Sequence, residues 1–366
     1  MKKTKKLLAL MMVLALSLTA LAGCGGGGES GGESGGEATG EVFTYKIQCA
    51  YPQGDTSWDL HLPMITEAIT EATDGQIQFE IYAPGSICEP EQAPASVAKG
   101  ILDAALSAPN DTAQIVPAAY AEQGIPFWWQ SIEEIHDCLY NAGLMDFLRA
   151  EYEKAGIYYG MWDPQGQYML MTDFPINTAD DLHGKKIRAS TSYASLMEEL
   201  GAAPVTMSGG DMYMGMKLGT IDGYIYSMAD LEGLALKEVT TNVMVPAGCA
   251  GAPCNIIFNL EKWNSMPQEL QDKANQAMED VYWEVTAAAA ERDAQSRAAA
   301  EEYGVTWLEV SEENMQPFYE AGQKVLEDLA AKYPASAPGF EIIQQWKDAK
   351  DAGQSTGAAE EEAAAE

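Results

Sequence analysis

Few side chains in this sequence are equipped for chemistry, and they are scattered. His61, His136 and His183 fall in helical or loop stretches with no Gly-x-Ser-x-Gly turn and no His-Glu-x-x-His spacing. A serine nucleophile with its base and a zinc-hydrolase site therefore both lack support. Acids are plentiful, but nothing singles out a pair spaced for glycoside cleavage. The six cysteines contain no Cys-x-x-Cys, so metal and redox spacings are missing too. One cation stands apart. Arg188 lies at the end of a predicted strand over 185–189, and a guanidinium offers a carboxylate two parallel N–H donors while keeping its charge out of water. It reads either as an anion anchor or as a strand-end arginine in a surface ion pair. Tyr226, after Ile221-Asp-Gly223, can hydrogen-bond a small molecule or form an aromatic wall, and equally can pack at a strand end. Gln167 can donate to a carboxylate or accept from a hydroxyl, or simply face solvent.

The setting of these residues is strongly acidic. Lys plus Arg total 21 against 55 Asp plus Glu, a formal charge of −34 over 366 residues. Such a field repels phosphate backbones and anionic headgroups and excludes nucleic acid as a partner. A 47% hydrophobic content and a mean hydropathy of −0.18 are those of a globular chain long enough for two cores.

The first residues read as an address. Four lysines precede an apolar run from 7 to about 22, which ends in Leu21-Ala22-Gly23-Cys24 and looks like a bacterial lipobox. Residues 1–23 are expected to be a lipoprotein signal peptide, with Cys24 lipidated and the chain anchored on the outer face of the cytoplasmic membrane. Removing 1–23 deletes four Lys and no acid, taking −34 to −38. Gly, Ser and Glu at 24–41 predict a flexible tether. The Ala- and Glu-rich segment 351–366 predicts a disordered tail. After 23 no apolar run approaches the ~18 residues of a membrane span. Five cysteines follow Cys24, an odd number; only Cys249 and Cys254 are close in sequence, and small buried hydrophobes are the alternative to a bridge.

The elements alternate. Strands are predicted over 42–50 and 76–82 from period-2 alternation, and over 102–108, 157–162, 185–189, 221–226 and 255–260. Helices are predicted over 57–73, 91–99 and, from the Ser131-Ile-Glu-Glu134 capping box, to about 154. Thr178-Ala-Asp-Asp181 sets a helical turn. The opening β-α-β-α-β order builds a mostly parallel sheet. A single helix from Pro267 to Tyr303 would span about 50 Å, more than one small domain needs. Ala287-Ala-Ala-Ala290 and Ala298-Ala-Ala300 spoil a heptad, so a helix braced across two lobes is preferred to a coiled coil.

In this order the pieces resemble the TRAP-transporter solute receptors, the DctP-like extracytoplasmic binding proteins. The resemblance covers about 42–335 and rests on Asp74-Gly-Gln-Ile-Gln-Phe-Glu-Ile-Tyr82, Val97-Ala-Lys-Gly-Ile-Leu-Asp103, Gly124-Ile-Pro-Phe127, Asp181-Leu-His-Gly-Lys-Lys-Ile-Arg188, Leu200-Gly-Ala-Ala-Pro-Val205 and Gly219-Thr-Ile-Asp-Gly223. Each is weak alone; six in sequence are specific. Ser208-Gly-Gly-Asp211 looks closer to the oxo-acid branch.

The resemblance implies an α/β, two-lobed periplasmic-binding-protein-like fold with mixed sheets and a long helix bridging both lobes. Residues 42–165 plus 254–293 would form lobe I, and 166–253 plus 294–350 lobe II. It implies a receptor that binds a small organic acid between the lobes, closes on it and delivers it to TRAP permease subunits. Arg188 sits where the family keeps its carboxylate-binding arginine. Gln167, 21 residues earlier, has the spacing of a ligand-contacting Gln in the oxo-acid branch. Many members carry a second arginine near it, and 165–172 has none. Ile225 stands where some members hold a cation with Glu, so no metal and no cofactor is expected. Strand ends of the opposite lobe add Trp58, Asn110 and Trp162 as candidates. Ser208-Gly-Gly-Asp211 either cradles an anion or only caps its helix. The alternatives are a receptor feeding a different permease or a sensor, and an exported hydrolase.

Overall fold

The computed structural model describes residues 40–353 except 124 and 125, and not the side chain of Thr191. The expected leader, Cys24, most of the tether and the tail after 353 lie outside the described residues. Among those described, no helix is long and apolar enough to cross a membrane.

The chain opens with β1 (Phe43–Cys49), α1 (Leu62–Ala72), β2 (Ile77–Tyr82), α2 (Ala93–Ala98), β3 (Ala104–Ser107) and α3 (Pro109–Thr112). Next come α4 (Ile132–His136), α5 (Leu144–Lys154), β4 (Ile157–Pro164) and β5 (Tyr168–Thr172). The middle of the chain holds β6 (Lys186–Arg188), α6 (Thr191–Glu199), β7 (Ala203–Val205), α7 (Met212–Lys217), β8 (Gly223–Ser227), α8 (Asp230–Gly233) and β9 (Asn242–Val245). It ends with β10 (Pro253–Asn259), α9 (Leu260–Asn264), α10 (Gln268–Tyr303), β11 (Thr306–Glu309), α11 (Glu312–Lys332) and α12 (Ala337–Asp351).

Two mixed sheets result. The first runs β2-β1-β3-β10-β4 and the second β11-β9-β5-β8-β6-β7. Strands β1, β2 and β3 are parallel, as the alternating opening predicts. The expectation of a mostly parallel sheet stops there, because β10 enters from far along the chain, antiparallel to both β3 and β4. In the second sheet β5 is antiparallel to β8 and β9. Its whole length, Tyr168 to Thr172, is buried on both faces, so no alternation marks it in the sequence.

Two predicted helices are broken. The segment from 57 begins as a wide turn, Ser57–His61, before α1. The helix opened by Ser131 has its cap, with Glu134 N donating to Ser131 Oγ at 3.3 Å. It then widens at Asp137–Asn141 and ends at Gly143, whose φ of +87° is a left-handed value that stops a helix. The predicted turn at 178 carries a capping box between Thr178 and Asp181.

Helix α10 is the 36-residue rod that the sequence predicts, stopped by Gly304 at φ +106°. Its first half packs on α1 and β4, and its second half on α8 and the turn at Leu236–Glu238. It therefore belongs to both lobes. Helix α11 packs on α6 beside the second sheet, while α12 returns to α5 beside the first.

Candidate functional site

Arg188 ends β6, between β7 and β8. The side chain is 9% exposed. Its Nε donates to Met207 O at 3.1 Å and its Nη1 to Ile225 O at 3.2 Å. The guanidinium lies 5.3 Å from the Tyr226 ring centroid. Two of five donors are thus held by neutral carbonyls that fix the plane of the group without cancelling its charge. Among the described residues no carboxylate pairs with it within 4 Å.

Arg188 faces a cleft of about 500 Å³ that both lobes line. From the second lobe come Tyr168, Tyr193, Ser208 and Tyr226; from the first come Tyr51, Asn110, Asp111 and Gln123, with Gln165 at the crossing. Asp111, in the short helix after β3, is 8% exposed and accepts from Asn110 Nδ2 at 2.8 Å. Burial pushes its carboxyl up to about 7, with the Glu91 charge adding to the rise.

Beside the cleft, the first-lobe loop 54–57 is tied to the second lobe. Tyr226 Oη donates to Asp55 Oδ2 at 2.7 Å. Thr56 N and Oγ1 donate to Asp230 Oδ1 at 2.7 and 2.6 Å. Arg292, on α10, donates to Gly54 O and approaches Asp59 at 3.3 Å. Asp55 also accepts from Ser57 N at 2.9 Å and Gln165 Nε2 at 3.2 Å. Burial, then the neighbouring Asp230, holds the Asp55 carboxyl well above the ordinary range, and burial lifts Asp230 to about 6. Backbones meet here: a Cβ on Gly233 would stand 2.0 Å from Gly54 O, and one on Gly54, at φ +95°, 2.5 Å from Gly233 O. Only glycine fits this approach.

The candidates divide. Arg188, Tyr226 and Asn110 line the cleft together. Gln167 does not. Gly166, at φ +107°, turns the chain so that residues 165 and 167, which an unbroken strand would point the same way, face apart. Gln165 is buried and meets the cleft, whereas Gln167 is exposed and lines a separate groove with Trp129, Met169 and Met228. Trp162 is 2% exposed in β4, and Trp58 packs partly buried against the core; neither lines the cleft. Ser208 Oγ donates to Asp211 Oδ2 at 2.6 Å and does not cap the helix, while Ser208 and Gly209 form cleft wall. Ile225 is buried and gives only its carbonyl, to Arg188.

The histidines sit elsewhere. His61 Nδ1 is 2.7 Å from Asp163 Oδ1, both fully buried. His136 packs at tilted and edge-on angles among Tyr140, Tyr282 and Trp283, and His183 is exposed beside Asp180. Cys249 and Cys254 are free thiols; Cys254 Sγ donates to Tyr51 Oη at 2.8 Å. The sequence reading missed Asp55, Asp111, Gln123 and Gln165, which carry no local signal because only folding brings them together.

A two-sheet, two-lobed α/β body with a solute-sized cleft between the lobes is the form of an extracytoplasmic binding protein. The chain belongs to the DctP family, described as bacterial extracellular solute-binding protein, family 7, whose profile matches residues 51–333. It is 24% identical to the ectoine-binding periplasmic protein TeaA of Halomonas elongata, over 73% of this chain and 79% of that one. It is 23% identical to a monocarboxylate 2-oxoacid-binding periplasmic protein of Nostoc, over 80% and 82%. Its fold is shared with a TRAP periplasmic solute-binding protein from Roseobacter denitrificans solved with β-D-glucuronate, at a TM-score of 0.74 and 22% identity, covering 82% of this chain and 99% of that one. The family resemblance carried by the six motifs is therefore established.

Proposed function

We propose that this chain is the solute receptor of a TRAP transporter, that it binds a small organic acid with the acid's carboxylate on Arg188, and that it hands the closed complex to the membrane permease. One observation carries this reading: a buried guanidinium, fixed by the carbonyls of Met207 and Ile225, on the wall of an interlobe cleft. A fork so held is preorganised, and an anion's two oxygens meet it without reorganisation. A micromolar dissociation constant corresponds to about −8 kcal/mol. A charge-assisted contact supplies about 1.5–3 kcal/mol of that, so Tyr226, Gln165 and exclusion of water from the cleft must supply the remainder. Closure follows if the solute touches both lobes, because it then binds the closed form better than the open one. No covalent step is involved, and the relatives' own solutes mark the size and polarity of the expected cargo.

The experiment is a thermal-shift screen of small organic acids followed by calorimetry on the hits. Arg188→Ala is expected to weaken the best acid at least about 100-fold, roughly 2.7 kcal/mol, with the fold kept by circular dichroism; unchanged affinity refutes the anchor. We propose further that Cys24 carries the lipid anchor. Cys24→Ser should move the protein from the membrane to the soluble fraction, and continued fractionation with membranes would sink that assignment.

A further inference from the structure

The two walls of the cleft carry ionisable groups of opposite sign, and among the described residues neither has a charged partner within 4 Å. On the second lobe stands Arg188, bonded to two neutral carbonyls. On the first stands Asp111, 8% exposed, whose one recorded side-chain partner is the neutral Asn110 amide. Exposed Glu91 lines the same side. Among the described residues no Lys, Arg or His nitrogen lies within 4 Å of either acid. A carboxylate nine-tenths buried without a counterion is costly, as its displacement to about 7 indicates. Gln123, 5% exposed, lines the same cleft, and among the described residues both of its amide atoms are unpartnered. A buried amide left without partners is a vacancy for hydrogen bonds that a ligand can fill.

We infer that the solute is zwitterionic: its carboxylate meets Arg188 on the second lobe and its ammonium meets Asp111 on the first, with Gln123 bonding the polar atoms between. The inference rests on the receptor reading above and narrows it from organic acids to amino acids and their cyclic or N-substituted relatives. A molecule charged at both ends supplies each wall with the counterion it lacks. It also explains how a chain of formal charge −34 can hold an anion beside two acids: the ammonium turns Asp111 and Glu91 from a repulsive wall into an attractive one. A plain acid of the same shape leaves Asp111 uncompensated and adds its own negative charge to the cleft. The discrimination therefore comes partly from repulsion of the wrong class.

The test is calorimetry on the unaltered chain with matched pairs: alanine against lactate, β-alanine against 3-hydroxypropionate, and proline against tetrahydrofuran-2-carboxylate. At least one amino acid should bind at least about 30-fold more tightly than its oxygen counterpart. Asp111→Asn should remove most of that preference and leave the oxygen acid within about threefold. Glu91→Gln, at an exposed position, should weaken the amino acid alone by about threefold. Arg188→Ala should weaken both members of a pair. An oxygen acid that binds as well as or better than its partner overturns the zwitterion while keeping the receptor reading, as does an Asp111→Asn that weakens both classes alike. Should Asp111→Asn fail to fold, the pair ranking on the unaltered chain decides. An Arg188→Ala that changes nothing strikes the receptor reading itself, and binding by no member of either class overturns both.

Discussion

The Arg188 wall and the 54–57 loop sit side by side and are built in opposite ways. The wall belongs to one sheet: Arg188, Met207 and Ile225 are fixed by neighbouring strands and turns, and the guanidinium is bonded within its own lobe. The loop bonds within itself, Ser57 N to Asp55, and is also tied across to the other lobe through Asp55 to Tyr226 and Thr56 to Asp230, with Gly54 bonded to Arg292 on the shared helix α10. One region is bonded within its own lobe; the other divides its bonds between its own lobe and the facing one. Tyr226 belongs to both, its ring near the guanidinium and its hydroxyl on Asp55. On the proposed function, recognition and lobe contact would be separate tasks joined at one phenol.

Three measurements would break or sharpen that division. The largest effect is expected from Gly233→Ala. A methyl 2.0 Å from Gly54 O must force the loop off the second lobe without touching a cleft residue. Small-angle scattering with solute should then show a larger radius of gyration than the parent, and affinity should fall about tenfold, on the order of 1.4 kcal/mol. Parental compactness and affinity together would show that the loop contact is idle.

Next comes pH. Burial raises Asp111, Glu122 and Asp293 to about 7 and Asp230 to about 6, against about 4 in an unfolded chain. Between those values the folded state holds more protons than the unfolded one. The stability these groups contribute is fully present below about 4 and is lost as pH rises through 6 to 7. Scanning calorimetry of the ligand-free protein should give a melting temperature roughly 5 °C higher at pH 5 than at pH 8. A higher value at pH 8 would contradict the burial of these acids. Because three of the surrounding carboxyls, Asp55, Asp230 and Asp293, lie at the lobe junction, Asp230→Asn should flatten this dependence more than Arg188→Ala does.

The smallest effect separates two glutamines. Gln165→Ala should weaken solute binding by about fivefold, near 1 kcal/mol for a lost buried hydrogen-bonding group. Gln167→Ala should stay within twofold, since its side chain faces the other groove. Reversed magnitudes would mean that the turn at Gly166 differs when solute is bound.

What was readable in the sequence had local causes. Period-2 runs placed β1 and β2, and the helical repeat placed α10 almost to the residue. Arg188 was readable because a strand ending in arginine within the Asp181-to-Arg188 motif is a continuous signal. What escaped had distant causes. Strand β5 is apolar on both faces and lacks a period, and β10 joins β3 from some 150 residues away. The 21-residue spacing to Arg188 points to Gln167, but spacing along a chain counts residues and cannot see that one glycine with positive φ turns Gln165, not Gln167, to the cleft. Asp55 and Asp111 look like two acids among 55, and only convergence distinguishes them. Trp58 and Trp162 are expected at the cleft as strand-end residues, yet Trp162 lies in the core and Trp58 packs against it.

Helix α10 has a mechanical consequence. A single 36-residue rod bolted to α1 and β4 at one end and to α8 at the other cannot swivel freely with either half. Any jaw movement must flex it, spread over many backbone hydrogen bonds and not focused at one pivot. In a receptor that closes on its solute, such a rod would act as a leaf spring that limits how wide the jaws gape.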